Sequence, residues 1–346
     1  MKLVSPRYAF LTAFLKGQES WMLSWELLEK MIQSATVPDA VETIRETDIG
    51  RYLSGQSLSS FSKADECLWE YLGMCIERFT RYNPPGDMLR LCRAYVLKYD
   101  IVNIKSAIRR INSENKISMV SVGTIHDSGL LEHLSNAKST ADVVGVLEKI
   151  RLEEYAVAVA SIKEDDLRSL LDTERKLEQL YHMHLLKALK TMNDAAVIIK
   201  AIGITIDLFN LRLVFRTAAG DSGSMLERFV LDGGYTFSAE AIRVLFSSKV
   251  TEMPGWIEHS MYHQIARESI RQFEHDMDST VFDRVFEKEG FGLLKDLLSP
   301  RVLSPLNALW YLMLKEWEIR NVRLIFKALF EVMPAEEVRE YLAGAL

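Results

Sequence analysis

The chain has 346 residues, of which 48% are hydrophobic and 26% charged, a composition typical of a globular protein with a large core. A formal charge of −6 leaves no basic surface for nucleic acid and argues against strong attraction to anionic lipid. With only 17 Gly and 8 Pro, the chain has few helix breakers. No apolar run approaches the roughly 20 residues that span a bilayer, and Pro6 and Arg7 interrupt the start, so no signal peptide is expected.

Helical periodicity runs through almost every segment, and little alternating strand pattern is present. Three short apolar segments each follow a plausible helix cap, and they recur at intervals of roughly a hundred residues. The caps and segments are Ser24 before Leu27–Met31, Asp127-Ser128 before Leu130–Leu134, and Ser238 before Ala241–Leu245. Each third of the chain is therefore predicted to open with short capped helices.

A signature of ten residues then closes each third. It has an acid, an Asn three residues later, a base at the fifth following position and a base at the ninth. The members are Asp100, Asn103, Lys105 and Arg109; Asp207, Asn210, Arg212 and Arg216; and Glu318, Asn321, Arg323 and Lys327. A period of about 110 residues indicates a small domain rather than a solenoid repeat. Three related helical modules are predicted, spanning residues 1–120, 121–231 and 232–346, with Gly-containing linkers near Gly123 and Gly220.

Apolar residues follow each signature acid at helical spacing, and they predict one buried stripe per signature helix. The stripes are Ile101, Ile104, Ile108 and Ile111; Leu208, Leu211, Phe215 and Ala218; and Ile319, Val322, Phe326 and Leu329. The acid and Asn lie at one edge of the stripe and the bases beyond the other, so their partners must lie on another helix or chain. One hypothesis is that the acid side of one module meets the basic side of the next.

The repeated asparagines allow two interpretations. They could form a three-pronged site around a cavity, or each amide could bind the backbone of a neighbouring segment. The bases could likewise face the acids of a partner protein or pair within the fold. Tryptophans are expected to be core or interface anchors, although Trp21 and Trp25, one turn apart, could form an exposed docking patch.

No catalytic set is evident. A phosphate-binding loop of the Walker type is absent, so nucleotide binding is not expected. His259 and His263 share a helix face but no third ligand is evident, and no metal or other cofactor is predicted. Cys67, Cys75 and Cys92 lack metal-ligand spacing and are expected to be reduced core thiols of a cytosolic protein.

The triplication, together with Tyr8–Leu11 and the segment Ala40–Leu53, resembles the C subunit of prokaryotic V-type/A-type ATPases, whose eukaryotic relative is the d subunit of the vacuolar ATPase. The resemblance implies an all-α funnel of three modules around a pseudo-threefold axis. It implies a non-catalytic adaptor at the cytoplasmic face of the membrane, between the proteolipid ring and a shaft made of the D and F subunits. Such an adaptor transmits torque between ATP turnover and H⁺ or Na⁺ transport.

Two expectations remain open at this stage. The opening segments at residues 27–33, 130–135 and 241–247 are candidates for the rim that faces the proteolipid ring. The alternative function is a freestanding helical scaffold that binds a soluble partner, and co-purification with a ring and shaft would distinguish the two.

Overall fold

The computed structural model describes residues 6–111, 119–163, 166–190, 192, 194–220 and 223–343. Every regular element in these ranges is helical, and no β-strand occurs among them. The all-α prediction is confirmed. The pseudo-threefold funnel stays a prediction.

In the first third, three short helices and one long helix precede the signature helix. With the N-terminal helix, these elements are α1 (Pro6–Glu19), α2 (Trp25–Ile32), α3 (Val37–Thr43), α4 (Asp48–Leu53), α5 (Phe61–Thr80) and α6 (Gly86–Ile111). The second third contains α7 (Thr124–Asp127), α8 (Leu131–Ser135), α9 (Thr140–Lys149), α10 (Glu153–Ala160), α11 (Leu167–Leu189) and α12 (Ala195–Ala218). The signature helices of these two thirds are α6 and α12.

The last third also ends in a long signature helix, α17 (Leu306–Glu331), and a further C-terminal helix follows it. Its elements are α13 (Ala239–Leu245), α14 (Met253–Ile257), α15 (His263–Asp276), α16 (Thr280–Leu298), α17 (Leu306–Glu331) and α18 (Ala335–Tyr341). Two 3₁₀ turns lie at Gly223–Phe229 and Val250–Glu252. No helix of the described ranges is both long and apolar enough to cross a bilayer.

Two of the three predicted helix caps form. The Ser24 side chain accepts a hydrogen bond from the Leu27 N–H, and Ser238 accepts one from the Ala241 N–H, so α2 and α13 begin as predicted. The prediction for Asp127 and Ser128 is wrong, because Ser128 ends α7 and α8 begins at Leu131 without a side-chain cap.

The described chain forms two compact units. One contains Met1–Tyr181 and Arg301–Leu346, and the other contains His182–Pro300, with one division inside α11. In the first unit, residues of α2 and α5 share a hydrophobic core with residues of α17 and α18. The module bounds 1–120, 121–231 and 232–346 follow sequence repeats rather than compactness, and they stay a prediction.

The signature helices are among the longest in the chain, at 26, 24 and 26 residues. The first three members of each predicted apolar stripe are buried, including Ile104, Leu211 and Val322. The fourth members, at the C-terminal ends of the helices, are only half-buried. Burial of the stripe fixes the rotation of each helix, and this rotation aims the acid and the Asn at a neighbouring segment.

Candidate functional site

Each repeated asparagine exchanges two hydrogen bonds with one backbone residue further along the chain. The Asn103 Nδ2 donates to the Val120 carbonyl at 2.9 Å, and the Val120 N–H donates to Asn103 Oδ1 at 2.7 Å. Asn210 makes the same exchange with Leu231, at 2.9 Å in both directions. Asn321 makes it with Ala343, at 2.7 and 3.3 Å.

All three asparagines are buried, so each amide satisfies a backbone N–H and a backbone C=O that water does not reach. Of the two interpretations drawn from the sequence, the contacts match the one in which the amide binds a neighbouring backbone. The partner lies 17, 21 or 22 residues downstream of the asparagine in the three cases.

The signature acids bind the segments that open the short-helix regions. Asp100 accepts the N–H groups of Thr124 and Ile125, both at 2.9 Å, at the start of α7. These are N–H groups of a first helical turn, which lack partners within their own helix. Burial raises the pKa of the Asp100 carboxyl to about 6, although the two backbone N–H bonds oppose that shift.

Asp207 accepts the N–H groups of Thr236 at 2.6 Å and Phe237 at 3.3 Å, just before α13, and the Tyr262 hydroxyl at 2.8 Å. Burial also raises the pKa of the Asp207 carboxyl. The third acid, Glu318, accepts the Leu23 N–H at 3.0 Å, just before α2. The signature acid of the last third therefore binds the opening of the first.

We call these three sets of contacts joints. The first joint comprises α6 and residues 120–125, the second α12 and residues 231–237, and the third α17 with Leu23 and Ala343. Asp100 and Asp207 accept backbone N–H groups, and Glu318 pairs with Lys315 of its own helix. Within the described residues no signature acid pairs with a signature base of the next module, so this part of the sequence hypothesis is wrong.

Glycines make room for the acid in the first two joints. A Cβ placed on Gly123 would lie 2.5 Å from Asp100 Oδ1, and one on Gly234 would lie 2.1 Å from Asp207 Oδ1. Gly123 also has a positive φ of 110°. Gly123 and Gly234 are therefore sites where the backbone closely approaches a carboxyl group, whereas the boundary glycine Gly220 has no atom within 4 Å of such a Cβ.

Among the described residues, five of the six signature bases, all except Lys327, pair with acids on a long helix of the neighbouring third. Arg109 forms a two-bond ion pair with the buried Glu174 of α11, at 2.5 and 2.6 Å, and Lys105 lies 2.7 Å from Glu178. In the second joint, Arg216 lies 3.1 Å from Asp283 of α16.

Arg212 contacts the same α16 carboxylates, at 3.2 Å from Asp283 and 3.9 Å from Glu287. In the third joint, Arg323 lies 2.5 Å from Asp65 of α5. The sequence analysis missed these acids. The four-residue spacing of Glu174 with Glu178, repeated by Asp283 with Glu287, is the signal that could have found them.

The third joint departs from the other two in one respect. In antiparallel register, the position one turn before Asp65 should carry a second acid, and it carries Phe61. Lys327 is exposed and makes no ion pair within the part of the chain that the structure describes. The Arg323 guanidinium carbon instead lies 5.7 Å from the centre of the Phe61 ring.

A buried cation also belongs to the third joint. Lys315 has no exposed surface, and its Nζ lies 2.9 Å from Glu318 Oε2 and 2.8 Å from the Tyr71 hydroxyl. Although burial lowers the pKa of the Lys315 ammonium, its carboxylate neighbours outweigh that effect and the net shift is upward.

Several tryptophans are exposed rather than packed in the core, and for Trp21 and Trp25 this agrees with the alternative of an exposed patch. Trp21 is 45% exposed and Trp25 is 46% exposed, with the Arg51 guanidinium 4.7 Å from the Trp21 ring, and Trp256 is also exposed. Trp310 is buried as expected. The exposed pair lies at the opening of the first third, beside one of the predicted rim segments.

Other candidate chemistry is limited. The three cysteines are free and buried. No group of three or more His, Cys, Asp or Glu side chains that could bind a metal occurs in the described ranges. An open surface cleft is lined by residues of α8 and α9, including His133 and Lys149. The repeated, buried groups of the chain are those of the joints, where they connect helices.

Comparison with known proteins agrees with this picture. The family model for the ATP synthase (C/AC39) subunit matches residues 11–341. The chain is similar to the C subunit of the A-type ATP synthase of Methanocaldococcus jannaschii, with 23% identity covering 97% of this chain and 86% of the relative. It is also similar to the C subunits of the A-type ATP synthases of Thermococcus onnurineus (23% identity, 98% and 90% covered) and Haloquadratum walsbyi (24% identity, 96% and 96% covered).

Proposed function

Because the chain belongs to the ATP synthase (C/AC39) subunit family, we propose that it is the central-stalk adaptor of a rotary ATPase. It is a structural subunit of such a complex and not one of the catalytic subunits. In the proposed role it connects the D–F shaft of the ATPase head to the membrane proteolipid ring. Torque would then pass between ATP turnover and transport of H⁺ or Na⁺.

The observation that carries this proposal is the use of the signature residues. Three acids and three asparagines, all buried, bind backbone groups at equivalent places in the three repeats. Such contacts connect long helices to the segments beside them and resist sliding, because a displaced backbone group would be left unpaired. A part that transmits torque must be stiff in this sense.

The proposed partners are proteins, and the proposed location is the cytoplasmic face of the membrane, as a peripheral part of the complex. The rim segments remain candidates for the surface that contacts the proteolipid ring. Lys30, Glu132 and Val244 are exposed members of the three segments, one in each third of the chain.

Changing the charge of the rim segments tests their role. We expect Lys30→Glu, Glu132→Lys and Val244→Glu, combined in one chain, to weaken binding to purified proteolipid ring at least tenfold, with the melting temperature unchanged. Arg81→Glu is a matched control, because Lys30 and Arg81 each pair with a glutamate one turn earlier on an exposed helix face. Unchanged ring binding by the triple variant would remove these segments from the proposal.

A tagged copy expressed in its native host tests the function itself. The proposal requires that the intact chain co-purify with the proteolipid ring and with the D and F subunits. A freestanding scaffold would instead bring down a soluble partner and neither of these assemblies, and that result would contradict the adaptor role.

A further inference from the structure

The third joint differs from the others in its covalent connection. In the first joint, Val120 and Thr124 lie on one short stretch of chain, so the residue bound by Asn103 leads directly to the segment bound by Asp100. Leu231 and Thr236 have the same relation in the second joint. In the third joint, Asn321 binds Ala343 near the C-terminus, whereas Glu318 binds Leu23, 295 residues away in sequence from that acid.

The C-terminal segment therefore binds Asn321 as a linker binds the asparagine in the first two joints. Unlike those linkers, it does not lead to the segment that the signature acid binds. Residues 334–343, which we call the strap, contain α18 and end at Ala343. Val338, Leu342 and Ala343 are each no more than 3% exposed. Val338 and Leu342 share a core with α2 and α17, so the strap packs on both sides of the third joint.

Polar contacts fix the strap at each side as well. The Arg339 guanidinium donates from Nε to both carboxylate oxygens of Glu29 on α2, at 2.9 and 3.0 Å. The Arg320 guanidinium of α17 donates to the Tyr341 carbonyl at 2.9 Å. The strap thus binds the two helices that no short stretch of chain connects.

The third joint is the place to open, because only non-covalent contacts hold Leu23 against Glu318, whereas one short stretch of chain connects the bound residues in each of the first two joints. Separating Leu23 from Glu318 would admit water to the buried Lys315–Glu318 pair, and hydration of two charges offsets part of the lost contact. An apolar contact of the same area would gain nothing comparable on exposure.

We propose that the strap is a closing device for the third joint, and that its release lets α2 and the Leu23 segment separate from α17 while the first joint stays closed. For a rotary ATPase subunit, this opening would allow the body to admit or release a protein partner without unfolding. That consequence rests on the proposed function, whereas the opening is a property of the isolated chain and is tested on it.

Hydrogen exchange at single amides provides the test. The Leu23 N–H reports the third joint, the Ala343 N–H reports the strap, and the Thr124 N–H reports the first joint. In Arg339→Glu we expect exchange at Leu23 and Ala343 to rise at least tenfold, with Thr124 unchanged. The charge-swapped chain Glu29→Arg/Arg339→Glu should restore protection at both, because the ion pair is rebuilt with its charges exchanged.

Two results would overturn the proposal. A rise at Ala343 with Leu23 unchanged would mean that the strap frays without opening the joint. A rise at Thr124 equal to that at Leu23 would mean general unfolding. Arg339→Gln, which removes the charge without reversing it, should give the same pattern at smaller amplitude, so the test does not depend on one variant folding well.

Discussion

Lys98 and Glu316 occupy the same place in the first and third repeats, two residues before the signature acid, and they form an ion pair of 2.6 Å. The Glu316 carboxylate also accepts the Tyr95 hydroxyl at 2.8 Å and the Tyr99 hydroxyl. Burial lowers the pKa of the Lys98 ammonium, and Glu316 opposes that shift. Equivalent positions of α6 and α17 therefore meet through one charged cluster.

In this cluster, removing the acid alone should destabilise the fold more than removing the acid and the cation together. Glu316→Leu leaves Lys98 and two tyrosine hydroxyls without their acceptor, and we expect it to lower the free energy of unfolding by roughly 3 kcal/mol. Adding Lys98→Met should recover part of the loss, because the unpaired cation is removed as well. Urea unfolding of the two variants measures the difference. A double variant less stable than Glu316→Leu would contradict the cluster as the cause.

Asn210→Leu tests the backbone exchange. The variant keeps the size of the side chain but leaves the N–H and C=O of buried Leu231 without partners, and we expect it to cost roughly 3 kcal/mol of unfolding free energy. The control is Asn136→Ala, at an exposed asparagine, which should stay within about 0.5 kcal/mol. Equal effects of the two substitutions in chemical denaturation would show that the exchange contributes nothing.

Asp100 predicts a pH dependence of stability. Its pKa in the folded chain is about 6, above the ordinary value of 3.8, so the folded state binds the proton more tightly than the unfolded state. The stabilisation from this group is complete below about pH 4 and is lost as the pH rises through 6. Relative to Asp100→Asn, the native chain should lose roughly 2 kcal/mol of unfolding free energy between pH 4 and 7.

The measurement is urea unfolding of both chains at pH 4, 5, 6 and 7. Taking the difference between them cancels the other titrating groups to first order. If the native chain instead gains stability over the Asn variant as the pH rises, the backbone N–H bonds outweigh burial and the assigned direction is wrong.

An acid in place of Phe61 should stabilise the fold, because it would supply the carboxylate that Lys327 lacks among the described residues of the third joint. We expect Phe61→Glu to be more stable than Phe61→Gln by about 0.3–1 kcal/mol, because the carboxylate can reach exposed Lys327. Glu at the first position of α5 also interacts favourably with the helix dipole, so the comparison is repeated with Lys327→Met. The part of the gain due to the ion pair should vanish in that background. If the full stability gain persists with Lys327→Met, the helix dipole alone accounts for it.

The sequence predicts the helices and their buried faces well, because helical periodicity is a local property. Ile104, Leu211 and Val322 all lie where the stripe places them, and each is fully buried. The equivalence of the three signatures could also be seen, since acid, Asn and bases keep constant spacing. Constant spacing fixes which side chains share an edge of a helix.

The partners of those side chains could not be predicted in the same way. Val120, Leu231 and Ala343 contribute only backbone groups, so their side chains share no pattern that would identify them. The sequence also left open whether Trp25 packs in the core or is exposed, and in the structure it is exposed. It is the first residue of α2, and Leu28, Met31 and Ile32 fill the buried face of that short helix. The backbone partners of the asparagines and the exposure of Trp25 both depend on tertiary packing.

The cysteines make one further measurement possible. Burial raises the pKa of Cys75 to about 11 and that of Cys92 to about 12, and it also raises the pKa of the buried Cys67 thiol. All three should therefore react slowly with maleimides at neutral pH. A cysteine introduced at the exposed Val157 of α10 should accept a label selectively.

Rotation of that label tests the adaptor role most directly. The complex is immobilised by its ATP-hydrolysing head, a bead is attached through Val157→Cys, and ATP is added. An adaptor that couples shaft to ring predicts continuous rotation of the bead in one direction that stops when ATP is withdrawn. A bead that stays fixed on this chain, while one attached to the shaft turns, would contradict the account.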